Sequence, residues 1–395
     1  MATETQSLIL IANPGSASRK YALFRGGKCV SDMHFEWEDG RIVCTVKTGM
    51  EELREPIGEK DLKTVVKHVY PMLLRSGVLT HEDKIKAIGL RIVAPSGYFL
   101  QNHHITPTVQ RKLVELEDVA PLHISIVLEE LSRLQDAFVG LPIYGISDTG
   151  FHKTKPIYAW NYAIPLEDAD RYEIKRYGYH GLSVQSAVRN LRRHDKMASK
   201  VVVVHLGSGA SVTALHGGKS LDNSMGYSPL EGIVMATRTG TIDFSAVRAL
   251  QIKKNMSPEE TEEYLNKRSG LLGLGGSPDI RELVMREDRG DERAYLALST
   301  YVYSVQKAIA QMTAALGGVD ALVFTGTVGE RSSIMRKRIV DRLHYLDFVL
   351  DSKENAACQN PQDFETIHYL VKSKPIYVVH ADEAAEIAKQ VEEML

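Results

Sequence analysis

One segment of this sequence occurs twice, about half a chain apart, and it constrains the fold more than any other feature. The first copy spans residues 8–28 and the second spans residues 201–219. Each copy contains an apolar run, a turn of small residues, a second apolar run and a Gly-Gly-Lys sequence. Apolar runs separated by such turns are typical of buried strands joined into hairpins. The repeat therefore predicts a duplicated β-hairpin.

The small residues of the two turns favour anion binding. The first turn reads Asn13-Pro14-Gly15-Ser16-Ala17-Ser18, and the second reads Gly207-Ser208-Gly209-Ala210-Ser211. Backbone N–H groups beside small residues can approach an anion closely, and serine hydroxyls add donors. A single copy could equally be an ordinary glycine-rich hairpin. Two copies together favour a pair of loops that hold a polyphosphate.

Length and charge narrow the class of protein. A chain of 395 residues is too long for one ordinary core, which predicts two domains, and 44% hydrophobic residues suffice to build both. A net charge of −2 and a pI near 6.7 give no overall field that would attract nucleic acid or an anionic membrane. Any anion must therefore bind at a local site.

The cysteines and the N-terminal residues indicate a cytoplasmic enzyme. Cys29, Cys44 and Cys358 are far apart and fit no Cys-x-x-Cys or His/Cys metal spacing, so we expect free thiols. The N-terminal residues lack the basic region of a signal peptide, and no stretch reaches the roughly 18 to 20 apolar residues of a membrane span. We therefore expect neither a membrane nor nucleic acid among the partners.

Strands and helices alternate along the chain, which predicts an α/β fold. The predicted helices are 62–76, 109–117, 125–134, 183–191, 257–266, 291–316, 331–343 and 381–393. The predicted strands besides the hairpins are 87–93, 143–147, 321–324 and 376–379. A hairpin after each small-residue turn argues against a plain doubly wound nucleotide fold, in which the glycines lead straight into a helix. It favours a duplicated actin-like layout.

Several motifs resemble the acetate kinase family of carboxylate phosphotransferases along almost the whole chain. The matching segments are 147–152, 176–181, 205–211, 218–226, 229–232, 237–240 and 266–273. Several blocks in the right order are far more specific than one glycine motif. The sequence is on this basis identified as a member of that family.

The resemblance implies a duplicated actin-like (ribonuclease H-like) fold with two domains and an active site in the cleft between them. It assigns residues 1–147 plus 383–395 to the first domain and residues 148–382 to the second, which would bind the nucleotide and make the dimer contacts of a homodimer. The implied reaction is a direct in-line phosphoryl transfer between ATP and acetate or propionate, with Mg²⁺. It is reversible and gives an acyl phosphate and ADP.

Four residues match the family's catalytic positions: Arg91, Asp148, His180 and Arg238. A carboxylate is already a nucleophile at neutral pH, so the chemistry needs no general base but needs charge to offset the repulsion between two anions. An arginine supplies a permanent charge and bidentate donors, and the histidine would hydrogen-bond the phosphoryl group. A surface ion pair for each arginine and a structural hydrogen bond for the histidine remain the alternatives.

The resemblance also assigns phosphate and metal ligands. The phosphate-binding positions are Asn13, Ser16, Ser18, Lys20, His205, Gly207, Ser208 and Gly209. Structural and functional roles are equally open for His123 and His205. Asp148 and Glu383 would hold Mg²⁺, with Mn²⁺ as the alternative, because a hard cation takes few protein carboxylates and keeps waters and substrate phosphates. Glu383 could instead be an exposed acid on a helix.

The acceptor and nucleotide positions follow from the same resemblance. Those near the apolar end of the acceptor would be Val93, Leu122, Tyr179 and Pro229, and those near the nucleotide would be Asp279, Arg281, Gly326, Thr327 and Gly329. An apolar wall discriminates by only about 1 to 3 kcal/mol per methylene. The sequence therefore leaves acetate and propionate open.

The chain departs from the family pattern in several places. Residues 90–97 replace the pattern His-Arg-Val-Val-His-Gly-Gly, so that both histidines and the Gly-Gly are lost, and Thr327 and Arg331 replace a Gly and an Asn near the nucleotide base. Ile124 and Ser125 replace Asn-Pro, and Ser208 replaces an Asn. A β-branched residue at 327 would crowd the base and resist a positive φ. Three functions stay open: an ATP-dependent carboxylate kinase, a phosphotransferase of the same fold with another donor (pyrophosphate or GTP) or a larger carboxylate, and a non-catalytic nucleotide or metabolite sensor. Retention of both arginines and His180 favours an enzyme.

Overall fold

The computed structural model describes residues 7–15 and 18–395. The chain divides into two compact units, Met1–Gly150 with Asp382–Leu395 (unit 1) and Phe151–Ala381 (unit 2). Ser16, assigned above to the first phosphate loop, lies outside the described residues. In the described part of the chain, no helix is both long and apolar enough to cross a bilayer.

Unit 1 contains an eight-stranded sheet built around the first copy of the repeat. Its strands are β1 (Leu8–Pro14), β2 (Ser18–Arg25), β3 (Lys28–Glu38), β4 (Arg41–Thr48), β5 (Glu51–Ile57), β6 (Ile85–Ile92), β7 (His103–His104) and β8 (Ile143–Ser147). Their order is β5-β4-β3-β2-β1-β6-β8-β7. The first five strands form an antiparallel meander, whereas β6 and β8 run parallel to β1. The short β7 pairs antiparallel with β8.

Three helices of unit 1 contribute to one apolar core with the sheet. They are α1 (Val66–Arg75), α2 (Pro107–Val114) and α3 (Pro121–Ala137), and short 3-10 turns lie at Leu62–Thr64 and Tyr98–Leu100. Helix α2 begins after Thr106, whose hydroxyl accepts a hydrogen bond from the backbone N–H of Val109. Helix α3 buries Ile124, Leu131 and Leu134. These side chains belong to the same buried cluster as those of β1 and β6.

Unit 2 contains a six-stranded sheet built around the second copy of the repeat. Its strands are β9 (Lys200–Leu206), β10 (Ala210–His216), β11 (Lys219–Asn223), β12 (Ala321–Thr325), β13 (Phe364–Thr366) and β14 (Ile376–Val379). Their order is β11-β10-β9-β12-β14-β13. The strands β9, β10 and β11 form an antiparallel meander, and β12 and β14 run parallel to β9. The edge strand β13 is antiparallel to β14.

The helices of unit 2 connect and cover these strands. They are α4 (Ile157–Trp160), α5 (Leu166–Arg171), α6 (Gly181–Arg193), α7 (Phe244–Lys254), α8 (Pro258–Lys267), α9 (Gly270–Gly275), α10 (Ile280–Glu287), α11 (Glu292–Leu316), α12 (Gly326–Arg331), α13 (Ser333–Val340) and α14 (Ser352–Ala357). Short 3-10 turns lie at Gly150–Thr154 and His344–Leu346. The 25-residue α11 begins after Asp291, which accepts from two backbone N–H groups, and ends at Gly317 in the left-handed region.

Helix α15 (Glu383–Glu392) belongs to unit 1, although all of unit 2 precedes it in sequence. It packs on β1 and β6. The contact is close at Gly89, where an added Cβ would lie 2.7 Å from a methyl carbon of Ile387 and 2.9 Å from one of Val391. Gly89 thus lets the helix lie directly on the sheet.

The duplicated hairpin predicted from the sequence is confirmed, and the duplication extends beyond it. Both sheets contain an antiparallel meander, of five strands in unit 1 and three in unit 2, whose first strand is followed across the sheet by two parallel strands and then by an antiparallel edge strand. The turns between the second and third strands also match. Gly26 and Gly27 have φ values of 55° and 73°, and Gly217 and Gly218 have 59° and 76°. Both positions require the left-handed region, which glycine adopts without strain.

Each helix and strand predicted by periodicity is present; strands 143–147 and 376–379 have the predicted bounds, and the other elements have shifted ends. The predicted helix 331–343 is divided, because α12 ends at Arg331 and Ser332 then caps α13 through its hydroxyl. The predicted helix 62–76 begins as a 3-10 turn before α1. The elements that were not predicted are strands β4, β5, β7 and β13 and helices α4, α5, α7, α9, α10 and α14.

Candidate active site

The predicted catalytic residues of unit 1 lie at one edge of its sheet. Asn13 is near the end of β1, Arg91 is near the end of β6, and Asp148 directly follows β8. These three strands are parallel, so their carboxyl ends meet at the same edge. Glu383 is the first residue of α15 and joins the same group of side chains.

Arg91 is the centre of this group. Its Nε donates to Asp148 Oδ1 at 3.1 Å, and its Nη2 lies 3.1 Å from Asp148 Oδ2, so the guanidinium holds the carboxylate with two bonds. Its Nη1 donates to Asn13 Oδ1 at 3.2 Å and lies 4.0 Å from Glu383 Oε2. Asn13 Nδ2 in turn donates to Glu383 Oε2 at 2.9 Å. The four side chains therefore form one connected network, and Glu383 is not a freely exposed helix acid.

The two carboxylates of this network keep the Arg91 guanidinium charged. Burial lowers the pKa of Arg91, but the charges of Asp148 and Glu383 raise it more, so the net shift is upward. The guanidinium therefore stays charged while its side chain is only 17% exposed. A permanent, oriented cation of this kind suits an anionic ligand.

Gly15, in the first small-residue segment, is held by an arginine that was not among the predicted site residues. Arg19 Nη1 donates to the carbonyl of Gly15, and Arg19 Nε pairs with Glu130 Oε2 at 3.2 Å. Tyr21 donates its hydroxyl to the other oxygen of Glu130 at 2.6 Å. Arg19, Tyr21 and Glu130 are all buried. They fix the carbonyl of Gly15 next to the start of β2.

Two further phosphate-loop residues lie on this hairpin. Ser18 begins β2, and its carbonyl accepts from the backbone N–H of Gly15 at 2.9 Å. Lys20 is exposed and lies directly opposite Asn13 in the register of β1 and β2. Paired residues on antiparallel strands share a face of the sheet. The Lys20 ammonium group is thus on the same face as the Arg91 network.

The donor set of unit 1 fits a hard divalent cation. Asp148 and Glu383 are carboxylates joined through Arg91 and Asn13. No cluster of three or more His, Cys, Asp or Glu side chains suited to a metal exists among the described residues. Mg²⁺ does not need one, since it binds through one or two carboxylates and keeps waters and substrate phosphates.

The predicted phosphate-binding residues of unit 2 lie at the carboxyl end of β9. His205 precedes the turn of Gly207, Ser208 and Gly209, and the backbone N–H of Gly207 donates to the carbonyl of Gly209 at 2.9 Å. The His205 ring stacks on that of His180, with the ring centroids 4.2 Å apart. Ser208 is exposed, and its carbonyl accepts from the N–H of Ala236 at 3.3 Å. The turn therefore lies beside two histidines.

Both histidine rings are held by serine hydroxyls. His180 Nδ1 lies 3.0 Å from Ser211 Oγ, and His205 Nδ1 lies 2.7 Å from Ser183 Oγ. Both serines are buried, and neither was predicted as a site residue. Ser211 closes the second copy of the repeated turn, which was the available sequence signal for it.

Arg238 and His180 converge above Gly209. A Cβ built on Gly209 would lie 3.0 Å from His180 Nε2 and 3.3 Å from Arg238 Nη1. Gly209 does not have a positive φ, so its backbone conformation does not require glycine. Glycine is favoured here because a side chain would crowd His180 and Arg238. One nitrogen of His180 and one of Arg238 thus lie next to the backbone of a small-residue turn. That arrangement suits an anion.

The backbone that carries Arg238 is tightly packed. The N–H of Met235 donates to the carbonyl of Arg238 at 3.1 Å, and Arg238 Nη1 lies 3.5 Å from the carbonyl oxygen of Pro229. Gly270 has a φ of 61°, and an added Cβ would lie 2.6 Å from the carbonyl oxygen of Arg238 and 2.2 Å from that of Met235. Only glycine fits this position.

The four predicted acceptor-pocket residues belong to both units. Val93 follows β6 and Leu122 lies in the first turn of α3, both half-buried in unit 1. Tyr179 and Pro229 are buried in unit 2. The hydroxyl of Tyr179 donates to the carbonyl of Tyr227. The polar group that distinguishes this residue from phenylalanine is thereby bonded to backbone.

The predicted nucleotide residues lie in two places in unit 2. Asp279 caps α10, and its carboxylate accepts from the backbone N–H and the guanidinium of Arg281, which lowers its pKa. Arg281 is exposed. Gly326 begins α12 with a φ of 78°, and an added Cβ would lie 2.7 Å from the carbonyl oxygen of Leu206. Gly329 lies in the same helix, with an added Cβ 3.6 Å from the backbone of Phe324.

The substitutions in α12 are accommodated without backbone strain. Thr327 is exposed within the helix and has no positive φ, because the left-handed conformation falls on Gly326 instead. Arg331 is exposed, and its Nε donates to Asn360 Oδ1 at 3.0 Å.

The substituted segment near Arg91 is also packed into the fold. Ala94 and Ser96 are buried, and the hydroxyl of Ser96 accepts from the N–H of Tyr98 at 3.2 Å.

Comparison with known proteins connects these arrangements to one family. The model of the acetokinase family matches residues 8–389. The chain is 35% identical to the acetate kinase of Thermoanaerobacterium thermosaccharolyticum over 98% of both chains, and 35% identical to that of Caldicellulosiruptor saccharolyticus over 98% of this chain and 99% of the relative.

Solved structures support the same family and the predicted fold. A propionate kinase from Francisella tularensis has a TM-score of 0.88 and 33% identity, covering 97% of this chain and 98% of its own. The acetate kinase of Porphyromonas gingivalis has a TM-score of 0.85 and 30% identity, covering 98% and 99%. The predicted duplicated actin-like α/β fold is thereby confirmed. The chain belongs to the acetokinase family.

Proposed function

We propose that this protein is a short-chain carboxylate kinase that transfers a phosphoryl group reversibly between ATP and acetate or propionate, giving an acyl phosphate and ADP. The observation that carries the proposal is the convergence of His180 Nε2 and Arg238 Nη1 on the space left by Gly209. Membership of the acetokinase family and the names of its relatives, acetate kinase and propionate kinase, support it.

The chemistry needs positioning and charge rather than a base. A carboxylate oxygen of the acceptor attacks the γ-phosphorus, a new O–P bond forms, and the bond to the β-phosphate oxygen breaks with its electron pair leaving on ADP. No proton is transferred in this step. The main cost is repulsion between two anions, together with charge on the equatorial oxygens of the phosphoryl group.

His180 and Arg238 are proposed to stabilise that charge. Each side chain presents a nitrogen beside Gly209, and a Ser211 hydroxyl that donates to His180 Nδ1 would leave Nε2 protonated as a donor. The backbone of Gly207, Ser208 and Gly209, with His205, is proposed to bind phosphate oxygens. Donors fixed in advance cost no reorganisation when the reaction occurs.

The Arg91 network is proposed to bind the acceptor carboxylate. Arg91 stays charged, and its guanidinium is oriented by the two bonds to Asp148. Asp148 and Glu383 would hold Mg²⁺, or Mn²⁺ in its place, and the bound cation would neutralise charge on the ATP phosphates. Asn13, Ser16, Ser18 and Lys20 are proposed to contact the same phosphates.

Substrate contacts outside the reacting atoms remain part of the proposal. The acceptor's apolar end would contact Val93, Leu122, Tyr179 and Pro229, and the nucleoside would contact Asp279, Arg281, Gly326, Thr327 and Gly329. An apolar wall separates acetate from propionate by only about 1 to 3 kcal/mol. We therefore expect measurable rates with both acids.

The protein is further proposed to act in the cytoplasm as a homodimer. Helix α7 buries none of its residues and leaves Phe244 79% and Ile252 67% exposed. Apolar side chains exposed on one helix are typical of an interaction surface. Light scattering on wild type and on Phe244→Glu would measure the number of subunits in the assembly, and a wild-type monomer would contradict the proposed homodimer.

The free thiols of Cys29, Cys44 and Cys358 fit a reducing compartment and so support the proposed cytoplasmic location.

The two compact units are proposed to be the two domains, predicted from the family pattern as residues 1–147 plus 383–395 and 148–382. Limited proteolysis with mass spectrometry would locate the boundary. Cleavage concentrated near residues 148–151 and 381–383 would support this division, and cleavage concentrated within either unit would contradict it.

The decisive test is trapping of the acyl phosphate. Purified protein is incubated with Mg²⁺, hydroxylamine and each pair of acetate, propionate or butyrate with ATP, GTP or pyrophosphate, and the acyl hydroxamate is measured. We expect hydroxamate with ATP and acetate or propionate, and none without an acid.

The other outcomes of this assay each change the proposal. Product with GTP or pyrophosphate only would replace ATP as the donor, and product with butyrate only would replace the acceptor. A folded protein that makes no hydroxamate with any pair would refute the kinase assignment.

A further inference from the structure

The backbone of His180 has a conformation that needs external support. Its φ of 60° and ψ of 26° lie in the left-handed region, where a residue with a side chain is unfavourable by roughly 1 kcal/mol or more. His180 also precedes the first turn of α6, so its backbone sets where the imidazole starts. Such conformations persist only when neighbouring groups fix them.

The neighbouring group that fixes it is the carbonyl of Tyr179. This oxygen belongs to the peptide bond that joins Tyr179 to His180, so its direction determines φ of His180. His152 Nε2 lies 2.9 Å from it, and Asn223 Nδ2 donates to it at 3.3 Å. Two buried side chains therefore hold one peptide plane in place.

The hydrogen bonds determine which nitrogen of His152 carries the proton. A carbonyl oxygen only accepts, so Nε2 must donate to Tyr179. His152 Nδ1 lies 2.8 Å from Ser220 Oγ, whose hydroxyl can donate to the unprotonated nitrogen of a neutral ring. The ring thus links β11, through Ser220, to the peptide before His180.

The packing leaves the ring little freedom to move. His152 is completely buried. An added Cβ on Gly178, which has a φ of 79°, would lie 3.1 Å from His152 Cδ2 and 3.0 Å from Asn223 Cβ. Segment 178–180 therefore packs directly on His152 and Asn223, the two side chains that bind the Tyr179 carbonyl.

We propose that His152 is a positioning residue, which acts through the Tyr179 carbonyl to hold His180 where its Nε2 meets Arg238 above Gly209. The inference rests on the proposed kinase function for the meaning of His180. It assigns to His152 no contact with substrate. A displacement of about 1 Å in a reacting group can lower a rate about 10²-fold.

The test compares two substitutions at this position. His152→Leu removes the donor and keeps an apolar side chain of similar bulk, whereas His152→Gln keeps an N–H donor near the position of Nε2. We expect His152→Leu to lower kcat about 10- to 100-fold with KM for ATP changed less than about threefold, and His152→Gln to recover most of that loss. His368→Leu is the matched control, since His368 is a buried histidine of unit 2 that bonds to the backbone of Ile376.

Two results would overturn the proposal in kinetics. One is a kcat for His152→Leu equal to that of the control. The other is an equal loss in the Leu and Gln variants together with an equal fall in their melting temperatures, which would mean that the residue acts only on the fold.

The ¹⁵N spectrum of the wild-type histidines tests the hydrogen bond from His152 Nε2 to the Tyr179 carbonyl, even where a variant does not fold. We expect the His152 signals of a neutral ring protonated at Nε2. A ring protonated at Nδ1 alone would overturn the proposal. A wild type that makes no acyl hydroxamate would instead refute the kinase function, and this spectrum would still judge the contact to Tyr179.

Discussion

The guanidinium of Arg91 holds the carboxylate of Asp148 along one edge, with Nε 3.1 Å from Oδ1 and Nη2 3.1 Å from Oδ2. Two parallel bonds fix the plane of the guanidinium as well as its distance. The remaining nitrogen, Nη1, consequently faces Asn13 and Glu383. The orientation of Arg91 therefore depends on the charge and shape of Asp148.

Asp148→Asn should lower kcat at least about 100-fold or raise the Mg²⁺ concentration for half-maximal rate about tenfold or more. The amide keeps the shape of the side chain but lacks the charge that binds a cation and one acceptor for Arg91. Hydroxamate formation over a Mg²⁺ titration measures both effects. Asp341→Asn, an exposed acid paired with Lys337, is the control. An unchanged Mg²⁺ dependence at 148 would remove Asp148 from the proposed ligand set.

Arg91→Lys and Arg238→Lys should each lower kcat/KM about 10²- to 10³-fold. Lysine keeps one charge but cannot reproduce the fork of donors that a guanidinium presents to a carboxylate or a phosphoryl group. Arg289→Lys, at an exposed position, should have no effect. Turnover of either variant close to that of wild type would contradict the role assigned to that arginine.

Gly209→Ala should lower kcat about tenfold or more while leaving the melting temperature nearly unchanged. The added methyl group would lie 3.0 Å from His180 Nε2 and 3.3 Å from Arg238 Nη1, so it would push both nitrogens away from the positions in which we propose that they bind the phosphoryl group. Gly58→Ala is the matched control, because nothing lies within 4 Å of its added Cβ and its φ is not positive. Equal activity of the two variants would show that the space above Gly209 is not used.

Lys155→Met should stabilise the protein at pH 7 by about 1 to 3 kcal/mol. Burial lowers the pKa of Lys155 to about 8 with help from Arg176, although Asp222 and Glu231 act in the opposite direction. Between pH 8 and the usual lysine pKa, the unfolded chain binds the proton that the folded chain has lost. The free energy of unfolding of wild type therefore rises relative to that of the variant as the pH rises through this range.

Urea unfolding of wild type and Lys155→Met at pH 7, 8, 9 and 10 measures that difference. Lys337→Met is the control, because Lys337 is exposed and pairs with Asp341 only on the helix surface. A variant less stable than wild type at pH 7 would mean that the hydrogen bond from Lys155 to the carbonyl of Arg176 outweighs the cost of burying the charge.

The elements predicted from the sequence are those that bury a regular apolar pattern. Strands β1 and β9 are almost wholly buried, and their flanking glycines repeat, so the hairpins could be derived from the residues. Helix α7 was missed because it buries none of its residues and has no apolar stripe. Strand β5 was missed because most of its residues are exposed and only Ile57 is buried. Periodicity reports burial, and elements without burial give no such signal.

The candidate site was predictable where it lies at strand ends and unpredictable where it depends on distant contacts. Arg91 and Asp148 were identified by motif, and the parallel strands before them explain why they meet. The contact between Arg19 and Glu130 joins residues 111 positions apart. No local pattern connects them, and the same holds for His152 and Tyr179.

Helix α15 places a condition on the order in which the chain can fold. A ribosome makes this helix only after every residue of unit 2, yet its Ile387 and Val391 cover Gly89 in the sheet of unit 1. Domains generally fold as units during synthesis, so unit 2 can complete its core while unit 1 waits with an uncovered apolar face. Glu383 arrives with the same helix and accepts from Asn13. A nascent chain therefore cannot complete the Arg91 network before helix α15 covers the sheet, and until then unit 1 exposes an apolar face to which chaperones can bind.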